Sequence, residues 1–138
     1  MTLTQITDPQ LRDILQGAQR IAVVGHSDDP GRPSYQIAQY LRRAGYTVYP
    51  VNPTIATVDG ERVYPSLAAL PVPVDIVDVF RRSEYLADVV KDAIAIGAKV
   101  VWAQLGVSSD AAAHLAAEAG ITLIQNNCIK VTHMRVIG

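Results

Sequence analysis

The sequence predicts an α/β fold: a three-layer, doubly wound sheet of about five parallel strands. Three observations predict it. Short apolar segments alternate with helix-length amphipathic segments along the chain, which is the pattern of βαβ units. The strand segments are apolar on both faces, as in Ile21-Ala22-Val23-Val24, and such strands belong in parallel sheets covered on both sides. Glycines stand where the helical stripes run out, at Gly17, Gly45, Gly97 and Gly120, as helix stops.

Each element follows from its local pattern. Leu11, Ile14, Leu15 and Ala18 share one helical face after an Asp8-Pro9 start, a favoured helix opening. Ile21 to Val24 is the first strand, and a Gly- and Pro-bearing loop from His26 to Pro33 follows. Ile37, Ala38, Leu41 and Ala44 form the next helical stripe. Thr47 to Val51 is the second strand, with Pro50 near its end. Thr54 to Arg62 is a polar loop or small hairpin around Asp59-Gly60. Ser66 to Leu70 is one helical turn before Pro71. Val74 to Phe80 is the third strand, and a helix over Glu84 to Ile96 buries Leu86, Val89, Val90, Ala93 and Ile94. Lys99 to Ala103 is the fourth strand. A helix over Asp110 to Ala119 carries Ala111, Ala112, Leu115, Ala116 and Ala119 on one stripe, with Ser108 or Ser109 as its cap. Ile121 to Ile124 is the fifth strand. After Asn126 no period is visible. Crossovers are expected to be right-handed, and strand order 3-2-1-4-5 is preferred over 2-1-3-4-5. No repeat, linker or low-complexity segment divides residues 1–138, which read as one domain.

Composition excludes several function classes. A chain of 138 residues that is 49% apolar and 18% charged reads as a compact globule rather than a disordered tail. Twelve Lys and Arg against thirteen Asp and Glu leave a net charge of −1, so no bulk field draws the chain to nucleic acid or an anionic membrane. Cys128 is the single cysteine and forms neither an internal disulfide nor a CxxC metal or redox pair. No apolar run approaches the roughly 18 residues of a membrane span. Met1 to Gln5 lacks the basic and apolar regions of a signal peptide, and the expected compartment is cytoplasmic.

In a doubly wound sheet, ligands bind outside the carboxyl ends of the strands, which selects a few segments. The first is Gly25-His26-Ser27-Asp28-Asp29-Pro30-Gly31-Arg32-Pro33-Ser34. Gly25 lets the backbone turn, and the helix opening near Pro33 offers unpaired N–H groups to an anion. Ser27 and Ser34 add hydroxyls and Arg32 a cation, a set suited to phosphate or pyrophosphate. The loop is neither GxGxxG nor a Walker A loop, and it reads equally as a connection that merely needs to turn. The second strand ends at Asn52-Pro53 without the acid that usually meets a ribose 2′-OH, which permits a phosphorylated ribose; a plain turn is the alternative. Phe80 packs either on an adenine or in the core. Arg81 and Arg82 precede a helix N-terminus, a poor place for cations unless an anion shares it. Trp102 is expected in the core, and Gln104 is placed to hold an amide-rich ligand arm. Cys128 is expected to be buried and inert, with no base beside it in sequence. The three histidines show no metal-ligand spacing, and no metal site is expected. Asp75 and Asp78, an odd spacing apart on one strand, point to opposite faces.

A set of motifs carries a resemblance. Val24-Gly25-His26-Ser27, Arg32-Pro33-Ser34-Tyr35, Gly45-Tyr46 and Pro50-Val51-Asn52-Pro53 stand in order. Tyr64-Pro65-Ser66-Leu67, Val74 to Arg82, Ala95 to Trp102, Gln104-Leu105-Gly106 and Asn127-Cys128-Ile129-Lys130 follow. Together they resemble the small stand-alone CoA-binding proteins of bacteria and archaea, similar to the CoA-binding domain of the succinyl-CoA synthetase α subunit. The resemblance implies a Rossmann-like fold with the phosphoadenosine diphosphate of coenzyme A, or an acyl-CoA, lying across the carboxyl edge of the sheet. It implies that Gly25, Ser27 and the turn through Arg32, Pro33 and Ser34 meet the phosphates, with His26 beside them. It implies that Asn52, Pro53, Val79 and Phe80 line the ribose and adenine, with Gln104, Leu105 and Gly106 as further contacts. The synthetase's phosphohistidine domain and ATP-grasp segment have no counterpart here, so the resemblance carries binding and not ligase chemistry. The expected function is a CoA carrier, sensor or regulatory module, as a homo-oligomer or beside a partner enzyme. The alternative is a small NAD(P)-dependent oxidoreductase, or a thiol enzyme using Cys128.

Overall fold

The structure, a computed structural model, describes residues 6–138. The N-terminal stretch Met1 to Gln5, read above for a signal peptide, lies outside the described residues. Seven strands run β1 (Arg20–Val24), β2 (Thr47–Val51), β3 (Thr57–Val58), β4 (Glu61–Arg62), β5 (Ile76–Val79), β6 (Val100–Ala103) and β7 (Thr122–Ile124). Five helices run α1 (Asp8–Gly17), α2 (Pro33–Arg43), α3 (Leu86–Ala95), α4 (Asp110–Ala119) and α5 (Ile129–Val136). The main sheet is five-stranded and all parallel, in the order β2-β1-β5-β6-β7. It is a doubly wound, Rossmann-like α/β architecture.

Alternation along the strands sends side chains to two helical layers. Ile21, Val23, Ile76, Val100 and Trp102 pack with Leu11 and Leu15 of α1, Ala38 and Leu41 of α2, and Ile129 and Val136 of α5. Ala22, Val24, Val77, Val79, Val101 and Ala103 pack with Leu86, Val89, Val90 and Ala93 of α3, and Ala112 and Ala116 of α4. Trp102 is fully buried and donates its indole N–H to the Asn127 carbonyl at 3.0 Å, so the core placement read from the sequence holds.

Caps fix the helix ends. Thr7 and Gln10 form a reciprocal capping box at α1, which satisfies two otherwise unpaired N–H groups. Ser109 Oγ accepts from the Ala112 N–H at the start of α4, and Gly120 closes it with φ +72°. Asp59 and Gly60 both hold positive φ between β3 and β4, the conformation that a tight hairpin turn requires.

The strand order corrects the sequence expectation. Numbered along the chain, the five strands run 2-1-3-4-5 and not the preferred 3-2-1-4-5. Pro50 is the physical reason. In the observed order β2 is an edge strand, and Tyr64 N–H donates to the Pro50 carbonyl on its outer side. The nitrogen of Pro50 therefore faces away from β1 and costs no ladder bond. An inner second strand would need an N–H there, and proline has none.

Three further readings are corrected. The tail after Asn126 contains a helix, α5, whose buried positions are Ile129, Thr132, His133 and Val136. Their spacing is helical, but two of the four are polar, so no apolar stripe announces them. His133 is accommodated because its Nδ1 lies 2.7 Å from the Tyr40 hydroxyl, with Tyr40 and Tyr46 rings set edge-on to it. In α3, Ile94 is 36% exposed instead of buried. In α4, Ala111 and Ala119 are exposed, and the helix seats itself on Ala112 and Ala116.

Candidate functional site at the carboxyl edge of the sheet

The winding of the sheet changes direction between β1 and β5, and such switch points open a crevice at the carboxyl edge. Gly25 leaves β1 there with φ +87°. Its N–H donates to the Val51 carbonyl of β2 at 2.8 Å. On the other side, a Cβ at position 25 would lie 2.6 Å from the Phe80 carbonyl oxygen. Only glycine fits between these two backbones.

A cavity of about 430 Å³ opens against this point, lined by Gly25, Asn52, Pro53, Pro65, Ser66, Phe80, Arg81 and Arg82 among others. Asn52 shapes its floor. The Asn52 Nδ2 donates to the His26 carbonyl at 3.0 Å, and its Oδ1 accepts from the Thr54 N–H and hydroxyl at 2.9 and 2.7 Å. This amide therefore ties the loop after β1 to the loop after β2. Arg81 supplies positive charge, with its guanidinium over the Tyr85 ring at 4.4 Å. Arg82 lies 3.5 Å from Glu84 in a well-solvated pair, of the kind worth little to stability.

The loop from His26 to Ser34 is wired to itself. Ser27 N–H donates to Ser34 Oγ at 3.0 Å, and Asp29 N–H donates to Ser27 Oγ at 3.0 Å. Gly31 N–H donates to Asp29 Oδ1 at 2.9 Å. The His26 ring is fully buried, with Nδ1 2.7 Å from the Ser27 carbonyl and Nε2 without a partner. Burial holds its basicity below the ordinary histidine value, so it stands as a neutral ring with Nδ1 as the donor. Arg32 is exposed, 3.9 Å from Asp29, and caps α2 without a side-chain bond. The first N–H groups of α2 thus have no side-chain cap.

A second cavity, of about 500 Å³, shares Phe80, Arg81 and Arg82 with the first. It continues over Pro33, Ile37, Gln104, Leu105, Gly106, Val107 and Cys128. Gln104 is buried, and its Nε2 donates to Asp78 Oδ1. Asp78 itself is fully buried on β5 between Val23 and Trp102, and its Oδ2 has no partner. Burial pushes its carboxyl up to about 8, against the Gln104 hydrogen bond, which lowers it. At neutral pH it is a protonated acid. Asp75, by contrast, sits before β5 and accepts the Gln19 and Arg20 N–H groups at 2.8 and 2.9 Å, so the two carboxyls serve separate places.

Of the residues read from the sequence, Gly25, Asn52, Pro53, Phe80 and Arg81 line the first cavity. Pro33, Gln104 and Gly106 line the second, again with Phe80 and Arg81. His26, Ser27, Arg32, Ser34 and Val79 line neither; Val79 is fully buried and offers a ligand no side chain. Cys128 is half-buried, not buried, and lies at the mouth of α5 on the second cavity. Sequence reasoning did not carry Pro65, Ser66 and Leu67 onto the site. Their signal was the Tyr64-Pro65-Ser66-Leu67 motif, which a bridge between Val51 and Tyr64 draws against the end of β2. Among the described residues, no helix is long and apolar enough to cross a membrane.

A parallel, doubly wound sheet with a polar crevice at its switch point is the architecture in which α/β domains hold nucleotide-bearing ligands. Comparison with known proteins narrows the class. Residues 19–134 match the family described as CoA binding domain. The chain is 44% identical over 124 residues to the uncharacterized protein YneT of Bacillus subtilis, across 90% of this chain and 92% of that protein. It is 30% identical over 95 residues to the acetate–CoA ligase [ADP-forming] II of Archaeoglobus fulgidus, across 67% of this chain but 14% of that ligase. A solved structure of a hypothetical protein from Pyrococcus horikoshii superposes with a TM-score of 0.94 at 37% identity, over 100% of both chains. The chain belongs to the CoA-binding-domain family.

Proposed function

We propose that this protein binds coenzyme A, free or acylated, and acts as a carrier, sensor or regulatory module without chemistry of its own. The phosphoadenosine diphosphate lies in the first cavity. Asn52, Pro53 and Phe80 meet its adenosine side. Arg81 meets phosphate, helped by the open N-terminus of α2 and by Arg32, which can leave its solvated partner Asp29. One observation carries the reading: the crevice at the switch point, made by Gly25 passing against Phe80, lies within the stretch that matches the CoA binding domain. Asn52, standing where NAD-binding sheets usually carry an acid, leaves room for a ribose phosphate. Neither the family match nor the crevice supports the oxidoreductase or thiol-enzyme alternative.

Isothermal titration with CoA, 3′-dephospho-CoA and NAD⁺ in one buffer tests the reading. CoA is expected to bind, and loss of the 3′-phosphate to weaken it. Removing one charge-assisted contact, as in Arg81→Ala, is expected to cost about 1.5–3 kcal/mol. Binding of NAD⁺ without CoA would overturn the assignment.

A further inference from the structure

The first cavity accounts for the nucleotide end of CoA and leaves the second cavity without an occupant. That cavity differs in chemistry. Ile37, Phe80, Leu105 and Val107 make it predominantly apolar, and Gln104 is its one buried amide. Leu105 is 68% exposed, a large apolar side chain with nothing over it. Ligand sites commonly pair such an apolar lining with a few fixed polar groups. The two cavities meet along Phe80, Arg81 and Arg82, so a ligand that fills the first can continue into the second.

Asp78 gives the Gln104 amide a fixed direction. One end of the amide is occupied by the hydrogen bond from Nε2 to Asp78 Oδ1. The other end is left for the cavity that Gln104 lines. Burying a carboxyl with one oxygen unpartnered is costly, and the fold otherwise has no use for it: Val23 and Trp102 flank Asp78 in a layer that is apolar around them. A device that holds a second polar group in place accounts for the expense.

We propose that the second cavity takes the pantetheine arm of the bound CoA, with Asp78 as the positioning residue that holds the Gln104 amide toward it. The arm suits the lining: it is a chain of methylenes and a gem-dimethyl group interrupted by two amides. The apolar stretches lie on Ile37, Leu105 and Val107, an amide meets Gln104, and the thiol end comes to the Cys128 side of the cavity. This proposal rests on the CoA reading above and adds the path of the arm and the residues that fix it.

Cys128 is the single cysteine of the chain, so its alkylation reports occupancy of the second cavity without any substitution. The wild-type protein is treated with iodoacetamide alone, with saturating CoA, and with saturating 3′-phospho-ADP, which lacks the arm. CoA is expected to slow alkylation at least tenfold, while 3′-phospho-ADP leaves it within twofold of the free rate. Titration of variants with the same two ligands tests the positioning role. Gln104→Leu and Asp78→Leu are expected to weaken CoA about tenfold and leave 3′-phospho-ADP within twofold. Asp78→Asn keeps the acceptor oxygen and is expected to retain CoA affinity. Protection by both ligands alike, or by neither although CoA binds, would overturn the path of the arm. Equal losses for both ligands in Gln104→Leu would overturn the role of the amide. Failure of CoA to bind the wild-type protein would overturn the CoA reading and this proposal together, a result the titration separates from the others.

Discussion

Gly25 shows how one residue joins the fold to the site. Its φ of +87° is a conformation that side chains other than glycine's rarely adopt. Its missing Cβ also leaves the Phe80 carbonyl room that an alanine would fill at 2.6 Å. Both neighbours are backbone, held by the Gly25 bond to Val51 and the Phe80 bond to Val24, so neither can move aside cheaply. Gly25→Ala is expected to destabilise the chain by about 1–3 kcal/mol from strain alone, and to weaken CoA by displacing the crevice wall. Urea unfolding and CoA titration check the two effects; a variant within about 0.5 kcal/mol of wild type, the range of an ordinary surface change, would refute the account. The role of Gly25 was legible because a glycine at a strand end demands a backbone explanation. The role of His26 was not. Its position in the loop suggested a ligand contact, yet the ring is fully buried and holds the Ser27 carbonyl, and burial is not written in a residue's type.

At the scale of elements, the sequence was most readable where side chains had one job. The strands were visible because both faces are covered by helices, which makes them continuously apolar. The helix α4 was visible through Ser109 and Gly120, whose capping chemistry is local. Strand order was less visible because it depends on which edges pair, and the one local clue, Pro50, acts by an N–H it lacks. The helix α5 was hidden for a related reason: Thr132 and His133 occupy its buried face with partners supplied by Asn127 and Tyr40. Polar residues satisfied by distant partners erase the period. Ile129 is the test of this element, since it is fully buried against the sheet. Ile129→Ala is expected to cost about 2–5 kcal/mol, as for a large buried aliphatic. A loss under about 0.5 kcal/mol, measured by denaturant unfolding, would mean that the tail does not pack as described.

For the whole molecule, the buried titratable groups set how stability depends on pH, and they oppose one another. Burial holds His26 and His133 below the usual 6.5. The unfolded chain therefore takes up protons first as pH falls below 6.5, and their contribution to stability is full above that value and lost on the acid side. Asp78 works in the other direction. Its carboxyl is raised from 3.8 to about 8, so between those values the folded chain keeps a proton that the unfolded chain has released. Its contribution falls as pH rises through this window and levels off above about 8. Between pH 6.5 and 8.5 the histidines are neutral in both states, and Asp78 remains. At about 1.4 kcal/mol per unit of differential protonation, wild-type stability is expected to drop by about 2 kcal/mol over that interval. Asp78→Asn leaves an amide of the same shape, able to accept from Gln104 but unable to ionise, and its profile is expected to lack the drop. Urea unfolding of both proteins at pH 6.5 and 8.5 makes the comparison, because any other group that titrates there is common to the two. Parallel profiles would mean that Asp78 is already ionised in the folded chain at pH 6.5, and that its buried oxygen has a partner that the fold does not reveal.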